Sequence, residues 1–127
     1  MVKGSEAMNF NQDRPIYIQL AEWLEDQILS EVYNEETQIP STTDISVNYK
    51  INPATALKGI NMLVDEGVVY KRRGLGMFVC TGAKEKILDK RKIAFLEEYI
   101  DTLVSEAKKL CLSKQEILSM LERRFDR

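Results

Sequence analysis

Apolar residues first recur at helical spacing in residues 16–28. Ile16, Leu20, Trp23 or Leu24, and Ile28 fall on one side of a 3.6-residue period. Pro15 suits the first helical position, with Asp13 or Arg14 flanking the cap, and the helix is predicted to end near Ser30. Residues 31–38 are polar and acidic and read as a loop leading to Ile39 and Pro40. A shorter helix is predicted from Ser41, because its hydroxyl caps and Asp44 at N3 completes a capping-box-like pair. Ile45 and Val47 are its apolar contributions, Tyr49 closes it, and Lys50 with Ile51 makes a tight turn. Asn52 as N-cap and Pro53 at N1 mark a third helix. Ala56, Ile60 and Leu63 lie on one of its faces, Gly59 permits a close approach, and Gly67 stops it. Two such helices joined by a few residues have helix-turn-helix spacing.

The period then changes. Residues 68–72 and 77–80 are short β-type runs around Arg73-Gly74-Leu75-Gly76, which predicts a hairpin with a basic, glycine-bearing tip. The tail is helical again. Ile93, Leu96, Ile100, Leu103, Ala107 and Leu110 alternate spacings of three and four, an a/d seam, with Phe95 and Tyr99 as a second apolar edge. This helix is predicted to stop near Leu110 and Cys111. A last helix comes next, capped by Ser113 with Glu116 and carrying Ile117, Leu121 and Phe125 at i, i+4, i+8. The predicted fold is mainly α with a small β-wing. A winged helix-turn-helix occupies residues 10–82 and an αα-hairpin residues 83–127. Residues 1–9 read as a disordered start or an appended remnant.

Composition narrows the chemistry. The 127 residues include no histidine, which removes imidazole bases and imidazole metal ligands. Cys80 and Cys111 are far apart and form no CxxC pair, so neither a metal site nor a cofactor is expected. Two cysteines without a secretory signal fit a reducing cytoplasm, and no apolar run is long enough to span a membrane. No phosphate-binding glycine loop and no nucleophile–base set points to an enzyme. The net charge of -2 hides a segregation. Residues 1–49 hold two bases against nine acids, residues 50–83 five against two, and residues 84–127 eleven against nine. The predicted third helix and wing thus coincide with the basic segment.

Several motifs stand in a specific order. They are the run 14–20 (Arg-Pro-Ile-Tyr-Ile-Gln-Leu), Ile39-Pro40-Ser41, the run 51–55 (Ile-Asn-Pro-Ala-Thr), the run 65–69 (Asp-Glu-Gly-Val-Val) and the run 71–79 (Lys-Arg-Arg-Gly-Leu-Gly-Met-Phe-Val). Together they resemble the winged-helix domain of GntR-type bacterial transcription regulators. Residues 95–121 resemble the compact two-helix dimerisation tail of the YtrA-type branch. The resemblance implies a cytoplasmic homodimer that binds double-stranded DNA at a near-palindromic operator, usually as a repressor, often for an ABC-transporter operon. No small-molecule effector is identified.

That implied mechanism needs phosphate neutralisers and base readers. The first turns of the third helix offer Asn52, Ala54, Thr55 and Lys58 to the major groove. Ser41, Thr42 and Thr43 open the second helix, Lys50 lies in the turn, and Arg72, Arg73 and Gly74 form the wing tip. The dimerisation set is Ile93, Leu96, Tyr99, Ile100, Leu103, Ala107, Leu110, Ile117 and Leu121. Many family members carry arginine where this chain has Thr43, Pro53 and Leu57. Their absence shifts expected readout toward Thr and Asn contacts, Lys58, and DNA shape. Cys111 stands where the branch often has a helix-ending glycine, and a cysteine tolerates positive φ poorly, so a different helix end is expected. Two other readings remain. One is a winged helix used as a protein-interaction or assembly module. The other is a redox- or ligand-responsive switch through Cys80 or Cys111, or through a pocket between the tail helices.

Overall fold

The structure is a computed structural model and describes residues 10–127, so the reading of residues 1–9 lies outside the described residues. The chain divides into two compact units, one ending at Leu88 and one beginning at Asp89. The first contains helices α1 (Ile16–Leu29), α2 (Thr42–Tyr49) and α3 (Pro53–Asp65) and an antiparallel hairpin of β1 (Val69–Arg72) and β2 (Gly76–Val79). The mainly helical fold with a small wing is therefore the one the pattern predicts.

Helix α1 buries the predicted stripe, with Leu20, Leu24 and Ile28 inaccessible to solvent. They meet Ile45 of α2, Ile60 and Leu63 of α3, and Val69 and Val79 of the hairpin in one core. Burial of each such side chain is worth about 1.5–3 kcal/mol. Pro15 proves to be the N-cap rather than the first helical residue, and it has no side-chain acceptor. Gln19 instead ties the preceding segment to α1: its Nε2 donates to the carbonyls of Asn11 at 2.9 Å and Arg14 at 2.7 Å, and its Oε1 accepts from the Asn11 amide at 3.0 Å. The capping box of Ser41 and Asp44 and the Asn52–Pro53 start of α3 form as predicted. Val47 does not join the core: it is 70% exposed. Two residues along a helix is about 200° of rotation, so Val47 stands opposite the buried Ile45.

Helices α1 and α3 pack closely because Gly59 has no side chain. A Cβ there would lie 3.0 Å from both the Tyr17 carbonyl oxygen and Leu20 Cδ2. The acidic stretch 31–38 is not a plain loop. Its end runs beside β2, with Val79 donating to the Thr37 carbonyl at 3.0 Å, Ile39 to that of Met77 at 2.9 Å, and Gln38 bridging Phe78. Polar side chains hide this pairing from a hydrophobic pattern, because the backbone makes it.

Helix α4 (Ala83–Phe95) starts in the first unit, where Ala83 and Ile87 join the core. In the second unit, residues Leu96–Ile100 form a wide π turn, succeeded by α5 (Asp101–Lys109) and α6 (Lys114–Phe125). The π turn corrects the predicted seam. An extra residue per turn rotates the rest of the helix, so Ile93 and Leu96 do not continue the stripe of Leu103 and Ala107 as a regular heptad would. The helix end at Cys111 is also a correction. Cys111 takes φ 58°, the left-handed conformation of a glycine. Leu112 donates to the Ala107 carbonyl at 2.9 Å and Cys111 to that of Lys108 at 3.2 Å, a Schellman end. Among the residues of this unit Ala107 alone is buried.

Candidate nucleic-acid interface

The α2 N-terminus is a finished cap. Ser41 Oγ accepts from the Asp44 amide at 3.0 Å, and Asp44 Oδ2 accepts from the Ser41 amide at 3.3 Å. Thr42 is half-buried and Thr43 exposed beside it. At the other end, Lys50 is exposed in the left-handed region at φ 55°, and Ser46 Oγ donates to the Ile51 carbonyl at 2.6 Å. This clamp fixes the turn into α3.

Asn52 caps α3 with its side-chain oxygen, which accepts from the Ala54 amide at 2.8 Å. That bond leaves the Nδ2 group as a donor. Bidentate reading of adenine needs both ends of the carboxamide, so the cap, which engages the oxygen, favours donation from Nδ2. Ala54, Leu57, Lys58 and Asn61 are exposed on α3, while Thr55 is half-buried. With Tyr17, Met62, Asp65 and Glu66, the residues Ala54, Leu57, Lys58 and Asn61 line an open groove. Lys58 Nζ sits 4.1 Å from the centre of the Tyr17 ring. Sequence reasoning missed Tyr17 and Asn61. Asn61 succeeds Ala54 and Lys58 at the i, i+4, i+7 spacing of one face, so its signal was present; the approach of Tyr17 depends on Gly59 and was not.

The wing tip is supported from below. Arg72 faces Gly76 across the hairpin, and Leu75 donates to the Arg72 carbonyl at 2.9 Å. Gly74 takes φ 77° with open space around it, and Arg73 beside it is exposed. Gly76 is needed twice over: its φ is 117°, and a Cβ would meet Gln38 Nε2 at 2.6 Å. That Nε2 donates to the Leu75 carbonyl at 2.7 Å. The Arg72 guanidinium lies 4.7 Å from the centre of the Phe78 ring.

The acidic front of the chain has a structural task in this unit. Glu36 accepts from the Tyr70 hydroxyl at 2.6 Å and from Thr81 through its hydroxyl at 2.7 Å and its amide at 3.0 Å. The Tyr70 and Thr81 hydrogen bonds hold its carboxyl below the usual range, with a smaller pull from Arg72. Glu35 accepts from the amides of Gly82 at 2.9 Å and Lys84 at 3.3 Å, capping the start of α4, and Glu31 meets Lys84 Nζ at 2.8 Å. Burial pushes the Cys80 thiol up, which disfavours the reactive thiolate. Among the described residues no group of three or more candidate side chains is placed to hold a metal, and no helix is long and apolar enough to cross a membrane.

The tail set divides by accessibility. Ile93, Leu96, Tyr99, Leu110 and Leu121 are exposed, and Ile100, Leu103 and Ile117 are half-buried. Ala107 is buried in its own chain at the Schellman end and is withdrawn from any contact surface. Phe95, Val104, Leu118, Met120 and Phe125 are exposed too, and the heptad pattern did not select them for contact. The Phe95 and Tyr99 rings lie 5.4 Å apart, yet both remain more than half exposed.

Comparison with known proteins agrees with this arrangement. The family model for bacterial regulatory proteins, gntR family, matches residues 16–79. The HTH-type transcriptional regulator YhcF of Bacillus subtilis is 31% identical over 113 residues, covering 86% of this chain and 88% of that protein. The HTH-type transcriptional repressor YtrA of the same organism is 25% identical over 93 residues, covering 73% of this chain and 71% of that protein. A crystal structure of a transcriptional regulator of the GntR family from Bacteroides thetaiotaomicron superposes with a TM-score of 0.79 at 35% identity, covering 88% of this chain and 97% of that one.

Proposed function

The chain belongs to the gntR family of bacterial regulatory proteins, which are DNA-binding transcriptional regulators, and on that premise we propose that it acts as a homodimeric repressor of a near-palindromic operator. The observation that carries the dimer is the tail. A unit with one buried residue and ten exposed large apolar side chains lacks a core of its own, and a second copy supplies the missing surface. One winged helix makes few phosphate contacts, so two joined copies are what a specific site of two half-sites requires. Repression is supported by the name of the YtrA relative, whose length this chain largely spans.

In this reading α3 enters the major groove. Ala54 and Thr55 offer methyl contacts to thymine, Asn52 Nδ2 and Lys58 donate to acceptors on guanine or to phosphate, and Asn61 extends the same face. Thr42 and Thr43 meet the backbone at the start of α2 and Lys50 meets it at the other end of that helix, while Ser41 serves mainly to hold the start in shape. Arg73 and Arg72 carry the wing onto the backbone or into the minor groove. The test is selection of bound duplexes from a random library, with sedimentation of the free protein. Recovery of an inverted repeat and a dimeric mass is the expected result. A monomer that enriches no sequence would instead favour the protein-interaction reading.

A further inference from the structure

Lys58, like Arg72 on the wing, is held against an aromatic ring, but it stands on α3 and its ring comes from another helix. A lysine on an exposed helix face is ordinarily mobile, and it loses rotamer freedom when it meets a phosphate or base. Here the ammonium sits 4.1 Å from the centre of the Tyr17 ring. Two features put the ring there. Tyr17 lies in the first turn of α1, and Gly59, the next residue after Lys58, lets α1 approach α3 until a Cβ would be 3.0 Å from the Tyr17 carbonyl. The groove also contains Asp65 and Glu66, so acidic partners were within the same lining. A carboxylate would have neutralised the lysine and occupied its donors. A ring face attracts the cation without neutralising it and leaves the N–H donors turned away from the ring open.

We propose that Tyr17 is a positioning residue for DNA recognition, holding Lys58 extended over the groove face of α3 as a preorganised, unneutralised cation. The inference rests on the DNA-binding reading of α3 and adds a residue outside the helix-turn-helix to its specificity. It also explains how the face works without arginine at position 57: a lysine fixed on a ring supplies some of the directionality that a guanidinium has by itself.

Two measurements test it together. In the free protein, NMR is expected to show the Lys58 ε-methylene protons shifted upfield by the ring current, in the wild type and in Tyr17→Phe but not in Tyr17→Leu. In titrations with the duplex selected from the random library, Tyr17→Leu is expected to weaken binding about two- to fivefold, the range of an exposed cation–π contact. Tyr17→Phe is expected to bind as the wild type does, and Tyr17→Leu to have no further effect in a Lys58→Met background. An absent ring-current shift, an equal loss in the Lys58→Met background, or a loss in Tyr17→Phe overturns the positioning role alone. A wild-type protein that binds no duplex sinks the DNA reading and this role with it, whatever the NMR shows.

Discussion

The two units of this chain use their apolar residues in opposite ways. In the first, helices α1–α3 and the hairpin turn Leu20, Leu24, Ile28, Ile45, Ile60 and Leu63 inward until almost nothing of them is accessible. In the second, Ala107 is buried while Phe95, Leu96, Tyr99, Leu110 and Phe125 stay at the surface. Both patterns are amphipathic in sequence. What separates them is whether the chain provides a second face to cover the first. Where it does, the result is a self-contained reading head; where it does not, the exposed area is the surface that the proposed second copy would cover.

The sharpest way to break this contrast is to attack both sides. Leu24→Ala is expected to cost about 2–5 kcal/mol of unfolding free energy, because it opens a cavity in a closed core. Chemical denaturation at several protein concentrations checks it, and the cost should be the same at each. Leu96→Asp with Tyr99→Asp should instead act through mass action: the dimer expected for the wild type dissociates in sedimentation, while the winged-helix unit keeps its own melting transition. If the tail variant unfolds the first unit as Leu24→Ala does, the two regions are not independent in the way their burial indicates. A narrower test is Gly59→Ala. The added methyl would lie 3.0 Å from a backbone oxygen that cannot swing aside, so a loss of about 1–3 kcal/mol is expected in the same denaturation experiment.

How much of this was legible in the sequence depends on the same division. Side-chain chemistry that acts locally was readable: the Ser41–Asp44 and Ser113–Glu116 boxes, the Asn52–Pro53 start, the basic hairpin tip and the inward stripe of α1 all stand where the pattern put them. Features made by the backbone or by distant partners were not. The edge pairing of residues 36–39, the Gln38 support of the wing and the π turn at Leu96–Ile100 leave no hydrophobic period behind. Nor did the acidity of the first forty-nine residues announce its use. Residues 31–38 read as a polar, acidic loop, whereas Glu31, Glu35 and Glu36 fasten the start of α4 and the base of the wing.

Cys111 sharpens the tail side of the comparison. The helix ends there in a left-handed conformation despite the Cβ, because the bond from Leu112 to Ala107 closes the turn. A non-glycine residue in that region costs about 1–2 kcal/mol. Cys111→Gly removes that cost and adds backbone freedom to the unfolded chain, so a net gain of about 0.5–1 kcal/mol is expected in thermal or chemical unfolding of the protein. A destabilised variant would mean that the thiol makes a contact the left-handed conformation serves.

The smallest expected effect belongs to the glutamates of the first unit and concerns pH. Glu36 is held below its ordinary value of 4.5 in the folded chain, first by the Tyr70 hydroxyl and then by Thr81. The unfolded chain therefore binds the proton more readily. The stabilisation is complete above the ordinary carboxylate value and is lost as pH falls through the depressed folded one. The group is exposed, so solvent screens the contribution and the shift in the melting curve is small. Glu36→Gln should flatten that part of the profile, since an amide keeps an acceptor for Tyr70 but has no proton to take up. An equal acid sensitivity in wild type and variant would assign it to Glu31, whose carboxyl is lowered by its bond to Lys84 and which fastens α4 rather than the wing. The two glutamates thus separate the α4 end of the reading head from its wing, a distinction that substitutions in the apolar core cannot make.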